Sequence, residues 1–475
     1  MPGNKTLVMK FGGTSLQDSD AINNVIKIVK REPANKVVVV SAIAKATNIL
    51  EEAARLASKG KINDAKKITE GLISRHHSII NTLIKNEGLR AEATEKIINY
   101  HLNLEELIVG LAIIKELTLR TLDAFRVFGE MLSSTVIYYA MNDSGINVEL
   151  VDSRNIIKTD NEFSRAYPDF ETTRKNVNTI VLPLLKKGKT VLTQGFIAST
   201  EDGIPTTMGR ESSDFSATIY GALVSADEIQ IWTDVDGILT SDPNMIKKPS
   251  KLSEISFLEM EELSNFGAKV LHKNSIKPAL EKNIPLKILN SRNTSSNGTI
   301  VHSGLTFPKM VKSITYKKNI MVLRLKPKEG FNQYIFWEML LNILGKHKPQ
   351  IDILVSSNNA IIIVIAESNY TKIHYDDLRN EFEEISDYKL IQDKALVTLV
   401  GADLHSVNNM EQRVFRSNPK LKAESIIFGY NAHSFTLLID ANELDRVLNN
   451  LHKEFFEMQK GKSKLFSKVK SNLKK

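Results

Sequence analysis

The sequence predicts an α/β protein whose mainly parallel sheet is interrupted by a helical insertion and followed by two ferredoxin-like α+β units. Three observations carry this. Over the first ~300 residues, short β-branched runs without alternation, such as residues 36–41 (Lys-Val-Val-Val-Val-Ser), alternate with helical segments, as expected of strands buried on both faces. Residues 49–141 are helical in pattern with almost no strand signal. From Val311 onward, the order strand, helix, strand, strand, helix occurs twice.

In chain order, Leu7, Val8 and Met9 read as the first strand, and Ile22, Val25, Ile26 and Val29 follow helical spacing. Between them lies Lys10-Phe-Gly-Gly-Thr-Ser15. Adjacent glycines let a backbone approach a ligand where a Cβ would intrude, and free N–H groups suit an anion. A tight turn with no ligand is the plainer reading of the glycines alone. The strand at 36–41 ends in the small, polar stretch 41–48, and strands resume at 147–151, 190–193, 228–232 and 285–289. Gly209-Arg-Glu-Ser-Ser-Asp-Phe-Ser-Ala runs from a glycine turn into a helix, with Ser213 as expected N-cap and Asp214 in the first turn. An acid there stabilises the helix by ~0.3–1 kcal/mol without any catalytic role. Arg210 is disfavoured at that end unless it has an anionic partner, either a structural ion pair or a substrate carboxylate.

In the first C-terminal copy, strands are expected at 320–325, 352–356 and 360–366 and helices at 334–344 and 375–385. The second repeats the order at 395–400, 410–416, 424–428, 435–440 and 444–456. Such a repeat reads as a sensing or pairing module, or as a dimerisation domain without a ligand.

The 475 residues allow about three domains, and 42% hydrophobic with 25% charged content is that of an ordinary globular chain. No apolar run approaches the ~20 residues needed to span a bilayer. The first residues lack a signal peptide's apolar core, so a cytoplasmic location is expected. The absence of cysteine excludes disulfides, thiolate zinc sites and cysteine nucleophiles. The net charge is +8, but residues 460–475 hold seven lysines and no acid, which leaves only +1 on the rest of the chain. Composition therefore gives no sign of a nucleic-acid-binding face.

Four stretches, in this order, together resemble the aspartate kinases (aspartokinases) of the amino acid kinase fold. They are Lys10-Phe-Gly-Gly-Thr-Ser, Val40-Ser-Ala with Thr47-Asn48, Phe128-Gly-Glu-Met-Leu-Ser, and the run from Thr207-Met-Gly-Arg-Glu-Ser-Ser-Asp-Phe through Trp232-Thr-Asp-Val-Asp-Gly to Phe266-Gly-Ala-Lys-Val-Leu-His. The repeat after Val311 resembles that family's paired ACT domains. The resemblance implies an amino acid kinase-like three-layer sandwich over 1–305 with a helical lobe at about 49–141, ACT domains at 311–390 and 395–459, and a lysine-rich tail at 460–475.

It also implies the reaction of Mg-ATP with L-aspartate to give 4-phospho-L-aspartate, the first step toward lysine, threonine and methionine. Such chemistry needs no general base, because a carboxylate with a pKa of about 3.9 is already ionised at neutral pH. Carried over position by position, Lys10 would hold the transferring phosphoryl group beside the backbone of Gly12 and Gly13. Ser41, Thr47 and Ser213 would face aspartate, Glu130 would take its α-ammonium, Arg210 its α-carboxylate, and Asp214 would complete the pocket. Thr233, Asp234, Gly237, Leu239, Asn244 and Lys269 resemble the nucleotide side; the metal ligands are not identified. Periodicity places Glu130 opposite an apolar helix face, which fits a solvated surface acid equally well. Lys269, likewise, reads without the resemblance as an ordinary helix-surface lysine.

The chain departs from the family pattern at Glu211 and Ser212, where glycines are frequent, at Leu239, where tyrosine is common, and at Asn244, where arginine is usual. The first two would narrow the pocket, and the others would weaken stacking and charge on the nucleotide. The resemblance further implies a homodimer through the ACT repeat and an amino acid effector, lysine or threonine. The competing reading is a catalytically weak regulatory protein that binds an amino acid through that repeat. The tail lies outside the resemblance. It reads as a solvated segment, or as a helix with Leu465, Phe466, Val469 and Leu473 on one face, suited to an anionic membrane.

Overall fold

The computed structural model describes residues 5–209, 212–268, 271, 273–304, 310–349, 351–357, 360–366, 369–423, 425–428 and 432–458. Arg210, Glu211, Lys269 and the tail at 460–475 lie outside the described residues. The chain divides into two compact units that interleave in sequence. The first takes Met1–Ile238, Ser253–Phe257 and Leu271–Gly304, and the second takes Leu239–Leu252, Leu258–Val270 and Leu305–Lys475.

The first unit contains β1 (Thr6–Phe11), α1 (Ser19–Arg31), β2 (Asn35–Val40), α2 (Ala46–Ser58), α3 (Ile62–Leu83), α4 (Glu87–Ile114), α5 (Leu119–Asp143), β3 (Val148–Val151), α6 (Phe170–Asn176) and α7 (Leu182–Lys186). It continues with β4 (Thr190–Gln194), β5 (Ile197–Ser199), β6 (Pro205–Thr207), α8 (Ser213–Val224) and β7 (Glu228–Thr233). The short β8 (Glu254–Ser256), α10 (Ile276–Glu281), β9 (Leu286–Asn290) and β10 (Thr299–His302) follow, while α9 (Phe257–Asn265), between β8 and α10 in the chain, clusters from Leu258 onward with the second unit. Its sheet has the order β3-β4-β2-β1-β7-β9-β10-β8 and is parallel except between β9 and β10.

Alternation along β1 sorts its side chains between two layers. Leu7, Met9 and Phe11 join a core with α1 and the helical lobe of α2 to α5. On the other face, Gly221 of α8 lies against Ile229 and Val8, where any Cβ would collide with the Ile229 side chain. The strands are therefore buried on both faces, which is why 37–40 reads as an unbroken valine run. Lys10 has the same parity as Val8 and faces α8.

Two helices differ from expectation. α4 is long and apolar enough, by length and composition alone, to cross a membrane, a feature the sequence reading missed. Here it packs into the lobe through Ala93, Ile97, Leu104, Ile108 and Leu111, and it exposes Ile98, Leu102, Val109 and Ile113. α5 is not amphipathic: it is buried around most of its circumference, charged residues included, so its polar positions are interior ones.

The second unit contains β11 (Val311–Pro327), α11 (Gln333–His347), β12 (Ile351–Ser356), β13 (Ile361–Ala366), α12 (Asn369–Ile385), β14 (Ser386–Gly401), α13 (Met410–Ser417), β15 (Ser425–Phe428), β16 (Ser434–Asp440) and α14 (Leu444–His452). Its antiparallel sheet runs β12-β13-β11-β14-β16-β15. The two ferredoxin-like units share the long central strands. Residues 320–327 and 386–391 complete the first with β12, β13, α11 and α12, around Leu323, Phe336, Ile363 and Phe382. The second is built on residues 394–401, β15, β16, α13 and α14, and its fourth strand is residues 311–317, which precede the first unit in the chain. A register shift after Lys317, and left-handed residues at Asn319 and Asp393, mark the join.

Segment 239–252 belongs to this second unit. Thr240 O accepts Ile314 N–H at 2.9 Å, Tyr316 donates to Asp242 Oδ2 at 2.9 Å, and Ile246 enters the core beside Val311 and Ile314.

Candidate active site

At the carboxyl end of β1, Lys10 lies in register with Val39 of β2 and Ile231 of β7. Pointing toward α8, its Nζ reaches Asp214 Oδ1 at 2.7 Å; the two side chains are 11% and 8% exposed. Ser213 is the first residue of α8 rather than its N-cap. The cap position is Ser212, which makes no side-chain capping bond. The helix start is fixed instead by close approach to β4, since a Cβ on Gly195 would stand 2.6 Å from Ser213 Cβ. Asp214 is thus held beside a lysine, which goes beyond the capping role expected from sequence.

The two glycines after β1 differ in function. Gly12 has an ordinary φ of −74° and donates its N–H to Trp232 O at 3.2 Å. A Cβ there would lie 3.5 Å from Lys10 Nζ, in ordinary contact with the lysine. At Gly13 a Cβ would stand 2.9 Å from Ala42 O, so the chain itself requires glycine there.

Opposite this loop, α5 is stitched to residues 41–42. Ser133 Oγ donates to Ser41 O at 2.7 Å, and Ala42 N–H donates to Glu130 Oε1 at 3.0 Å. Gly129 permits the approach: a Cβ on it would be 2.9 Å from Ala42 Cβ and 3.8 Å from Thr47 Oγ1. Glu130 is 3% exposed, which overturns its reading as a surface acid. Its Oε2 is buried and has no hydrogen-bond partner among the described residues. Burial pushes the Glu130 carboxyl up to about 8, with the Ala42 N–H pulling the other way.

Lys10, Gly12, Gly13, Ser41, Thr47, Glu130, Ser213 and Asp214 therefore converge around the carboxyl ends of β1, β2 and β4 and the start of α8, where open parallel sheets bind ligands. Thr233 ends β7, and its carbonyl accepts Ser291 N–H at 2.9 Å. Exposed Asp234 follows, and Gly237 has a φ of +131° with room for no side chain, Thr299 Oγ1 standing 2.5 Å from a Cβ position. Leu239 and Asn244 belong to the second unit. There Asn244 turns back on Asp242 Oδ1 through its own N–H (2.8 Å) and Nδ2 (3.0 Å).

Sequence reasoning gave no role to Gly129 and Ser133, although both lie in the Phe128–Ser133 motif, nor to Gly195 and the charged residues of α5 below Glu130. The available signal was a glycine and three charges, Asp123, Arg126 and Glu130, set among the apolar residues in the first half of one helix.

Residues 5–290 match the model of the amino acid kinase family, the class that this sheet and its carboxyl-end cradle define. Over its length the chain is 28% identical to the lysine-sensitive aspartokinase 3 of Escherichia coli, covering 95% of this chain and 99% of that one. With the chloroplastic aspartokinase 3 of Arabidopsis thaliana the identity is 31%, over 95% and 82%. The crystal structure of E. coli aspartokinase III in complex with aspartate and ADP superposes with a TM-score of 0.85 at 26% identity, over 95% and 100% of the two chains. The chain belongs to the aspartokinases of the amino acid kinase family.

Proposed function

We propose that this protein transfers the γ-phosphoryl group of ATP to the side-chain carboxylate of L-aspartate, giving 4-phospho-L-aspartate and ADP. A carboxylate oxygen bonds to the γ-phosphorus while its bond to the β,γ-bridging oxygen breaks, and ADP carries the electron pair away. With the nucleophile already ionised, catalysis reduces to positioning and charge neutralisation. Lys10 holds the transferring group next to Gly12 and Gly13, and Asp214 orients Lys10. Ser41, Thr47 and Ser213 face aspartate, Glu130 binds its ammonium and Arg210 its α-carboxylate. Thr233, Asp234 and Gly237 are assigned to the nucleotide; Leu239, Asn244 and Lys269 carry the same assignment by family resemblance. Hard oxygen donors suited to Mg²⁺ are present in Asp214 and Asp234. When bound, the ion offsets the phosphate charge.

The observation that carries this reading is Glu130. A fully buried carboxylate oxygen without a partner among the described residues, on a helix stitched to the loop beside the Lys10 turn, is matched by a substrate that brings a positive donor. Feedback by an amino acid belongs to the same proposal, and lysine is favoured because the E. coli relative is lysine-sensitive. So does a homodimer through the second unit, whose edge strands β12 and β15 expose Leu354, Val355 and Ile426. A cytoplasmic location completes it. The test is ADP release with Mg-ATP across acidic amino acids. Turnover with L-aspartate is expected; preference for glutamate, or release with none, would overturn the reading.

A further inference from the structure

A buried charged cluster lies one helical turn from the candidate aspartate-binding residues, and no role assigned above uses it. Asp123, at the start of α5, is fully buried. Its Oδ2 accepts the N–H of Ser164 at 2.7 Å and of Thr207 at 2.9 Å, and its Oδ1 accepts the Thr207 hydroxyl at 2.7 Å and the Ser164 hydroxyl at 3.1 Å. Arg126 bridges onward, with Nη1 3.2 Å from Asp123 Oδ1 and 2.8 Å from Ser164 Oγ, and Nε 2.9 Å from Glu51 Oε1 on α2.

The spacing gives the cluster its meaning. Arg126 precedes Glu130 by four residues on α5, and Glu51 follows Thr47 by four on α2, so each lies one turn away on the same face. Thr207 precedes Arg210 by three residues. Each of three residues assigned to aspartate thus has a cluster member beside it in the chain. The cluster also holds Ser164 in the left-handed region at φ +67°, with its carbonyl facing Gly209, itself at φ +94°. Stability alone accounts poorly for such a cluster, because buried ion pairs stabilise little compared with apolar packing of the same volume.

We propose that Asp123, bridged through Arg126 to Glu51, is a positioning residue for the aspartate pocket. It fixes the exit of β6, at Met208 and Gly209, relative to Thr47 and Glu130. The inference rests on the aspartate kinase reading.

The test compares Thr207→Val, which keeps the shape and removes the hydroxyl, with Thr207→Ser, which retains it, and with Asp123→Asn. Steady-state KM values for aspartate and ATP are measured in protein of wild-type circular dichroism. Thr207→Val should raise the aspartate KM about tenfold while the ATP KM stays within about twofold, and Thr207→Ser should return it to near wild type. Asp123→Asn should show the same split more strongly. If Asp123→Asn does not fold, the Thr207 pair decides. Unchanged aspartate KM in Thr207→Val, or equal shifts in both KM values, would overturn the inference while wild-type turnover of aspartate upholds the function. A wild-type protein inert toward aspartate would overturn both.

Discussion

The role proposed for Glu130 ties aspartate binding to pH. Its carboxyl is raised from 4.5 to about 8 in the folded protein, so the native state holds this proton more tightly than the unfolded chain does. Between these values the native state binds the extra proton, and stability from this group falls as pH rises, reaching its full loss above about 8. Glu130→Gln should therefore gain in melting temperature relative to wild type between pH 6 and pH 9. Binding an ammonium needs the ionised form, so the wild-type KM for aspartate should rise as pH drops below about 8, approaching tenfold per unit. In Glu130→Gln the KM should be higher and flat; a flat wild-type profile between pH 6.5 and 8.5 would remove Glu130 from aspartate binding. Lys10 offers a second separation. Lys10→Ala should lower turnover by at least ~10²-fold and, because Asp214 is left buried and unpaired, stability by ~3–5 kcal/mol. Adding Asp214→Asn should restore most of the melting temperature and none of the activity. Lys10 was legible in sequence because a charge ending an apolar strand is conspicuous. Periodicity alone left Glu130 open to a surface reading, because a helix turn gives angular position but not what lies beyond it, here the Ser41–Ala42 loop admitted by Gly129.

Among the elements, the long parallel strands and the helical lobe were legible because apolar runs and 3.6-residue spacing persist over many residues. The three-residue strands β5, β6 and β8 were not, since so short a stretch shows no period. β11 was read as starting at 320 because Lys317, Lys318 and Asn319 interrupt the apolar pattern; the backbone instead continues through a bulge. The turn after β7 permits a sharper test. Gly237→Ala places a side chain at φ +131° and 2.5 Å from Thr299 Oγ1, so a loss of at least ~2 kcal/mol is expected. ATP KM should rise more than aspartate KM. A variant with unchanged melting temperature and ATP KM would show that the turn relaxes freely.

For the whole molecule, a boundary near residue 305 was expected, yet 239–252 and 258–270 cluster with the C-terminal part. Composition does not mark these segments, because their contacts are made by single side chains such as Ile246 rather than by a long apolar run. A chain ending at residue 304 would expose Ile246, now 4% exposed, and lose the Thr240 and Asp242 contacts to β11. It should be mostly insoluble, measured as the soluble fraction on expression. A soluble, active 1–304 fragment would show that segment 239–252 folds without the second unit.

The strands shared between the two ferredoxin-like units also set an order in time. Residues 311–317 leave the ribosome first, yet the unit they complete closes only when β16 has emerged, roughly 120 residues later, about 6–25 s at ~5–20 residues per second. During that interval Val311 and Ile314 have segment 239–252 beside them but not the β14 and β16 side chains of their core, so the second unit is a place where nascent chains of this protein need shelter from one another.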